Sequence, residues 1–553
     1  MATIFFESEC GHCKGTQVSR GAPPSDAICE HCGRVGTLGG TVRVPEIAVA
    51  LSGGGHRASL FGLGVLLALV DLGLNRQVTY ISSVSGGSIT NAFVGTQCAF
   101  DRQTRETFDP VAQRLAGVIV NRGILTRSII RLAIATVVLV AVFIGAVTAR
   151  FLEMAWLWGI IAAVAAALTF LMLRGVLVER LLAKRLFSSD DGAARFKDFK
   201  STGVEHVVCC TELASGRPVY FTSAHQGRIL IQVPDEQDYD GHRYAIRSCP
   251  ELPVAAAVRA SAAFPPFIAP RRLTTSALGD ATSDSKGDPR WPLFLSDGGL
   301  WSNLATQSLL EDGIFEGRGS ARFIPEVVLV ANASASFSAA RGWTYYIPAL
   351  AMISLLLRAS SIQNYNTVGP RVAQLRDNLR YRVKHDIAPD PSEPLAVGIE
   401  LSKSAFASSR DFTAAQANSD VFLERSADYR EWVSLLMNKL SDWYANARQN
   451  EPQALDTLVR GEFLRRPAVR TLDSDALTDL TGSYTALEDQ LKAKDLQTLP
   501  TVLDRIPSRI AMQVLLRGYA NTHVIAYCLN LTERTKTDLS EARLAQLTRP
   551  PRT

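Results

Sequence analysis

A strong charge of either sign is missing from this chain. Across 553 residues, 58 Lys and Arg stand against 53 Asp and Glu, a net charge of +5. So mild a balance argues against a nucleic-acid binder, though it suits contact with an anionic lipid surface. A disulfide framework is missing too. The nine cysteines are odd in number, and beyond four near the start they are scattered, which points to a reducing, cytosolic setting. The opening MATIFFESEC has neither a charged region nor the apolar run that follows one in a signal peptide, so none is expected. No internal repeat is visible. What the chain has in quantity is apolar residues, 47% of the total, a pointer to buried or membrane-embedded helices. At ~150 residues per domain the length allows about two to four units.

The first unit is residues 1–40. Cys10 and Cys13 form one CxxC pair, Cys29 and Cys32 a second, with fifteen residues between the pairs. This is zinc-ribbon spacing: each pair supplies two thiolates from one tight turn, and together they close a tetrahedral site. The expectation is a structural Zn2+ held by all four, in a ribbon too small to fold without it. Redox pairs are the competing reading. A protein partner docked through the ribbon is a further expectation.

Two uncharged stretches mark another unit, residues 127–187. Leu132 to Ala149 and Ala155 to Leu173 contain no charged residue, and only a short turn joins them. At 1.5 Å per residue each spans roughly 27–29 Å, close to the ~30 Å of bilayer hydrocarbon. Arg114, Arg122, Arg127 and Arg131 precede the pair; Arg174, Arg180, Lys184 and Arg185 follow it. That pattern predicts a transmembrane helical hairpin with both flanks, and the globular parts, in the cytoplasm. A bacterial inner membrane is the expected location, and a buried core hairpin is the competing reading.

Around this insertion the pattern alternates. EIAVALSGG reads as a buried strand entering a glycine turn, and RASLFGLGVLLALVDLG as a helix ending at Gly73. VTYISSVS is a second strand and GGSITNAFVGTQ begins a second helix. Strand, turn, helix repeated is the grammar of an α/β fold with a mostly parallel sheet. A core over residues 44–126 and 188–400, interrupted by the hairpin, and a helical C-terminal region over 401–553 complete the expected organisation.

Chemistry concentrates at two places. Ser85 ends a strand and opens a helix, with Gly86 and Gly87 behind it, the setting of a nucleophile elbow. Ser83 stands where G-x-S-x-G has its first glycine, so a plain helix cap fits this pentapeptide as well. Gly53, Gly54 and Gly55 can turn amides toward one point and so form an oxyanion hole. Phosphate cradling is the alternative, but the loop has neither the ending of a P-loop nor the spacing of a dinucleotide site. Arg57 is placed to meet an anion such as a lipid phosphate, or else a surface carboxylate. For a base the chain offers Asp297 in SDGG, after an apolar strand, or a triad with His385 or His523.

SGGGHRA, SVSGG, ASAAFPPF and DGG follow one another in the order of the four blocks of patatin-like phospholipases, and the chain resembles that family from Glu46 to Asn332. RIPSRIAMQVLLRGYANTHV is similar to the tail of bacterial members. The resemblance implies a patatin-like three-layer α/β sandwich and a Ser85–Asp297 dyad, with Gly53–Gly55 as oxyanion loop and no catalytic metal or organic cofactor. The implied activity is phospholipase A-type hydrolysis of acyl esters in membrane phospholipid. A catalytically silent lipid-sensing scaffold and an acyltransferase are the alternatives. The ribbon and the hairpin lie outside the shared core.

Overall fold

The structure is a computed structural model. It describes residues 5–10, 12–13, 16–20, 28, 34, 38–124, 141, 145, 174–189, 192–200, 203–232, 244–264, 268–278, 291–310, 325–334, 368–382, 394–417, 474–491, 496, 499 and 503–549. A small antiparallel sheet comes first, built from β1 (Phe5–Cys10), β2 (Thr16–Arg20) and β3 (Leu38–Val44) with β1 in the centre. Cys10 closes β1 and is buried; Cys13 lies exposed in the turn toward β2. Cys29 and Cys32 fall outside the described residues.

The main sheet follows at once. Its strands are β4 (Ile47–Leu51) and β5 (Val78–Val84), then, after a short ladder of β6 (Ser188–Ser189) and β7 (Gly192–Ala193), β8 (Glu205–Glu212) and β9 (Arg217–Thr222). They continue with β10 (Arg228–Gln232), β11 (Tyr244–Ser248), β12 (Arg271–Leu273), β13 (Leu293–Asp297), β14 (Val327–Asn332) and β15 (Leu395–Glu400). The order is β11-β10-β9-β8-β5-β4-β14-β15, and β13 pairs with β8 and β12. From β8 to β15 every neighbouring pair is parallel; the β9–β11 wing and the β12–β13 pair are antiparallel.

All five residues of β4, IAVAL, are buried. An unbroken apolar strand of this kind needs cover on both faces of its sheet, and two separate cores supply it. One holds Val49, Leu51, Ile81 and Val208 under helices α1 (Gly55–Asp71), α2 (Gly86–Gln97), α3 (Arg105–Asn121) and α4 (Val254–Ser261). The other holds Ala48, Ala50, Val207 and Cys209 against Leu304 and Leu309, the latter in α5 (Gln307–Leu310). This makes the three layers expected from the sequence.

The described C-terminal residues contribute α6 (Ala405–Ala417), α7 (Ser474–Gln490), α8 (Ser508–Cys528) and α9 (Glu541–Leu547). They are part of the core rather than an appendage. Helix α8 crosses α1 so closely that a Cβ on Gly64 would stand 2.3 Å from the Leu515 carbonyl, and one on Gly518 2.3 Å from that of Phe61. Buried Arg543 ties the crossing further, its Nη2 donating at 2.9 Å to Asp71 and at 2.7 Å to Asp109.

Of the two apolar stretches 132–149 and 155–173, only Ala141 and Gly145 are described, both helical and exposed. Among the described residues no helix is long and apolar enough to cross a membrane. The chain re-enters the core as a helix over residues 174–185.

Candidate active site

Two strands share one edge of β8. Strand β5 runs parallel along it until Val84 stands opposite Cys209, and β13 arrives from the other direction until Asp297 stands opposite Cys210. The two strand ends therefore abut, and the chain must turn away at both. At the first turn sits Ser85, at the second Gly298, which passes over the Cys209 carbonyl and against Val84, with no room for a side chain. The Ser85 hydroxyl and the Asp297 carboxyl face one another across the two turns, close enough for the hydroxyl to pull the carboxyl pKa down.

The turn at Ser85 is strained. Its φ of 52° lies in a region that non-glycine residues rarely enter. Three contacts hold it. The Ser85 N–H donates to Ser261 Oγ at 2.9 Å, and Ser261 donates in turn to the Cys209 carbonyl at 2.7 Å. A Cβ on Gly86 would lie 2.0 Å from the Gly55 carbonyl oxygen, and one on Gly87 2.5 Å from that of Leu51, so the elbow sits directly on the glycine loop. Ser59 closes the stack by donating to the Gly86 carbonyl at 2.7 Å. Ser83, the departure from the usual glycine, is accommodated inside: its hydroxyl donates to the Val207 carbonyl and accepts from Asn91, both at 2.8 Å.

The glycine loop lies against the serine. A Cβ on Gly53 would come within 3.3 Å of that of Ser85. The Gly53 N–H is already committed to the Asn303 carbonyl at 3.0 Å. Gly54 and Gly55, at φ of 141° and 61°, open α1, and among the described residues their N–H groups have no backbone acceptor. The N-termini of α1 and α2 thus converge on one point, each contributing a positive end.

Asp297 is 2% exposed. Its carboxyl is pushed up from 3.8 to about 7, chiefly by burial, against the opposing pull of the Gly299 N–H and the Ser85 hydroxyl. The Gly299 N–H reaches Oδ1 at 2.7 Å. A carboxylate near neutrality beside a serine is matched to proton transfer.

Other expected site residues lie elsewhere. Arg57 is 1% exposed, and its Nε donates to the Ala333 carbonyl at 3.0 Å. Its guanidinium runs beneath Gly54, 3.3 Å from where a Cβ there would stand, and burial lowers its pKa to about 10. It is spent on the protein's own carbonyls, not set out for a phosphate or a surface carboxylate. His523 engages both ring nitrogens, with Tyr484 at 2.6 Å and the Arg534 carbonyl at 2.8 Å. His385 lies outside the described residues. Two further residues complete the site. Ser261 sits inside ASAAFPPF, and Asn303 lies between Gly53 and Gly299 with its amide donating to Ser334 at 3.0 Å.

Residues 49–310 match the family described as patatin-like phospholipase, inside the stretch that carries the four motifs. No curated protein is significantly similar to the chain. Among solved structures, human GIVD cytosolic phospholipase A2 is similar at 16% identity and a TM-score of 0.29, covering 57% of this chain and 48% of its own. VipD from Legionella pneumophila is similar at 11% identity and a TM-score of 0.25, with 94% and 95% covered. The chain spans about half the length of the human enzyme, and both likenesses are too distant to bear on the site. Over residues 49–310, then, the chain is similar to the patatin-like phospholipase family.

Proposed function

We propose that this protein is a membrane-anchored serine hydrolase that cleaves acyl esters of phospholipids. The observation that carries the reading is the abutment of β5 and β13, which sets a strained serine against a buried carboxylate poised near pH 7. Asp297 takes the Ser85 proton as Oγ attacks the ester carbonyl carbon. The oxyanion that forms faces the N-termini of α1 and α2, where the Gly54 and Gly55 amides stabilise it. Gly53 shapes the loop through its bond to Asn303, and Arg57 braces it from below. Collapse breaks the ester C–O bond, and the leaving lysolipid alkoxide recovers the proton from Asp297. Water then attacks the acyl-serine with Asp297 again as base, releasing fatty acid and regenerating Ser85.

Anchoring rests on the two uncharged stretches, 132–149 and 155–173, with cytoplasmic globular parts as the flanking basic residues predict. Cys10, Cys13, Cys29 and Cys32 would hold a structural zinc. The placement of Cys10 at the end of β1 and Cys13 in the following turn suits a CxxC knuckle, and a thiolate donor set suits zinc. Its role there is to hold the small sheet together, leaving that surface to a protein partner.

Lipids from cells expressing wild type, Ser85→Ala and Asp297→Asn provide the test. Lysophospholipid and free fatty acid should rise with wild type alone. Equal lipid profiles from all three proteins, each present in the membrane fraction, would refute hydrolysis, and acylated acceptor in place of fatty acid would mark a transferase.

A further inference from the structure

The end of the sheet that carries the site also carries exposed apolar side chains and an exposed arginine. Past Cys210, β8 ends at Glu212, and the next residue, Leu213, donates its N–H to the Phe294 carbonyl at 2.9 Å. On the next strand Arg272 stands directly opposite Phe294. Leu213 and Phe294 are each 44% exposed, and Arg272 is exposed as well. Their neighbours Leu293 and Leu295 are buried, so Phe294 is turned outward by the strand's alternation. Trp301, 40% exposed, lies at the end of the turn that follows Asp297. Large apolar side chains presented around a catalytic cleft mark a binding face.

Three arguments identify what this face meets. At ~3.3 Å per residue, the Leu213–Phe294 level stands roughly 10 Å beyond the catalytic pair along the strand. Apolar groups that dock on a bilayer sink about 5–10 Å into the headgroup and acyl boundary, which would bring Ser85 to the depth of the ester bonds. The chemistry of these side chains fits as well: an indole, a phenyl ring and an arginine are the groups that partition to an anionic lipid interface. Finally, the helix over 174–185 begins one residue after the second apolar stretch. Its first turns pack where Gly175 meets Arg259 and Glu179 pairs with Arg271 at 3.0 Å, at the root of β12. The described chain therefore resumes at Arg174 close to this strand.

We infer that Leu213, Phe294, Trp301 and Arg272 form the face by which the catalytic domain docks on an anionic phospholipid bilayer. The choice of ligand rests on the lipid-hydrolase reading, so the test is run without hydrolysis. Full-length Ser85→Ala protein is reconstituted in phosphatidylcholine vesicles, with and without phosphatidylglycerol, doped with a diazirine-bearing phospholipid, irradiated and mapped by mass spectrometry. Label should appear on the peptides containing Leu213, Phe294 and Trp301. It should fall about ten-fold when all three become serine. Ile246→Ser, an exposed apolar residue on β11 at the far edge of the sheet, should leave it unchanged. Arg272→Glu should abolish the gain from phosphatidylglycerol. Label confined to residues 125–173, label at Ile246 equal to that at Phe294, or a triple variant labelled like its parent would overturn the inference. Because no turnover is read, those outcomes leave the Ser85–Asp297 dyad untouched, and a dead dyad leaves them untouched.

Discussion

Asp297→Asn should separate the cost of the site from its use. In the folded chain the Asp297 carboxyl titrates at about 7 instead of 3.8 because it is buried. The folded state thus holds a proton that the unfolded chain has released. Between those two values the folded state binds more protons, so its stability falls as pH rises through the window and levels off above about 7. A rise of roughly three units at ~1.36 kcal/mol each sets a ceiling of ~4 kcal/mol on that loss. Asparagine carries no charge to desolvate, and its side-chain oxygen can still accept from the Gly299 N–H, which now reaches Oδ1 at 2.7 Å. The variant should match wild type near pH 4 and exceed it above pH 7, with the unfolding temperature of the catalytic core several degrees higher. Ester hydrolysis should fall by ~10²–10⁴-fold, the usual contribution of a general base. The wild type's own activity should climb with pH and plateau above about 7, since only the carboxylate accepts the serine proton. Thermal unfolding followed by circular dichroism at several pH values, beside hydrolysis of a monomeric ester, reads all three. A variant less stable than wild type above neutrality, or an activity profile flat through neutrality, would refute the electrostatic account of Asp297.

Three further outcomes are expected. Ser261→Ala removes the acceptor that holds the Ser85 N–H at 2.9 Å; with that group unsatisfied at a cost of ~1–3 kcal/mol, kcat should drop ~10–100-fold while KM barely moves, and steady-state kinetics will show the split. Arg543→Met takes away the cation beside the buried carboxylate of Asp71, which keeps the Tyr519 hydroxyl, and beside Asp109; loss of a buried charge partner costs ~3–5 kcal/mol, to be read as a lowered denaturant midpoint. Metal analysis of purified protein should find zinc, and Cys10→Ser combined with Cys13→Ser should lose it, while an unchanged zinc content would rule out the four-thiolate site.

The candidate site residues stand out in the sequence because the chemistry proposed for them restricts the neighbours. A strained serine over a second backbone tolerates only small residues, so Gly86 and Gly87 are written beside Ser85, and the loop they touch is written as Gly53–Gly55. What brings Asp297 to Ser85 was not legible. Strands β5 and β13 are separated by some two hundred residues, and their meeting on one edge of β8 is a matter of long-range pairing that leaves no local mark. Ser261 was in view as part of a motif, but a serine hydroxyl gives no sign of which backbone it will hold. Arg57 was misread for a general reason: arginines are almost never fully buried, so an arginine after a glycine loop looks like an anion ligand. Here two backbone carbonyls, those of Ala333 and Leu499, meet its charge inside the protein.

The C-terminal helix shows why domain boundaries were harder than motifs. From the sequence, residues 401–553 read as a separate helical region, and the helix over 508–528 falls inside it. Most of that helix is in fact buried, and Asn521 donates its side-chain amide inside to the carbonyls of Glu400 and Lys403 at 2.8 and 2.9 Å. The reason lies in α1, some four hundred and fifty residues earlier. A helix that presents its N-terminus to a reaction centre cannot drift, because an amide dipole is useful only where the oxyanion will form. Gly64 and Gly518 let α8 press its backbone onto α1, and Arg543 locks the far end of α1 through Asp71. The tail of the chain therefore braces the helix that the glycine loop opens. Loosening it at Gly518 should slow the chemistry at Ser85 without touching any group that meets the substrate.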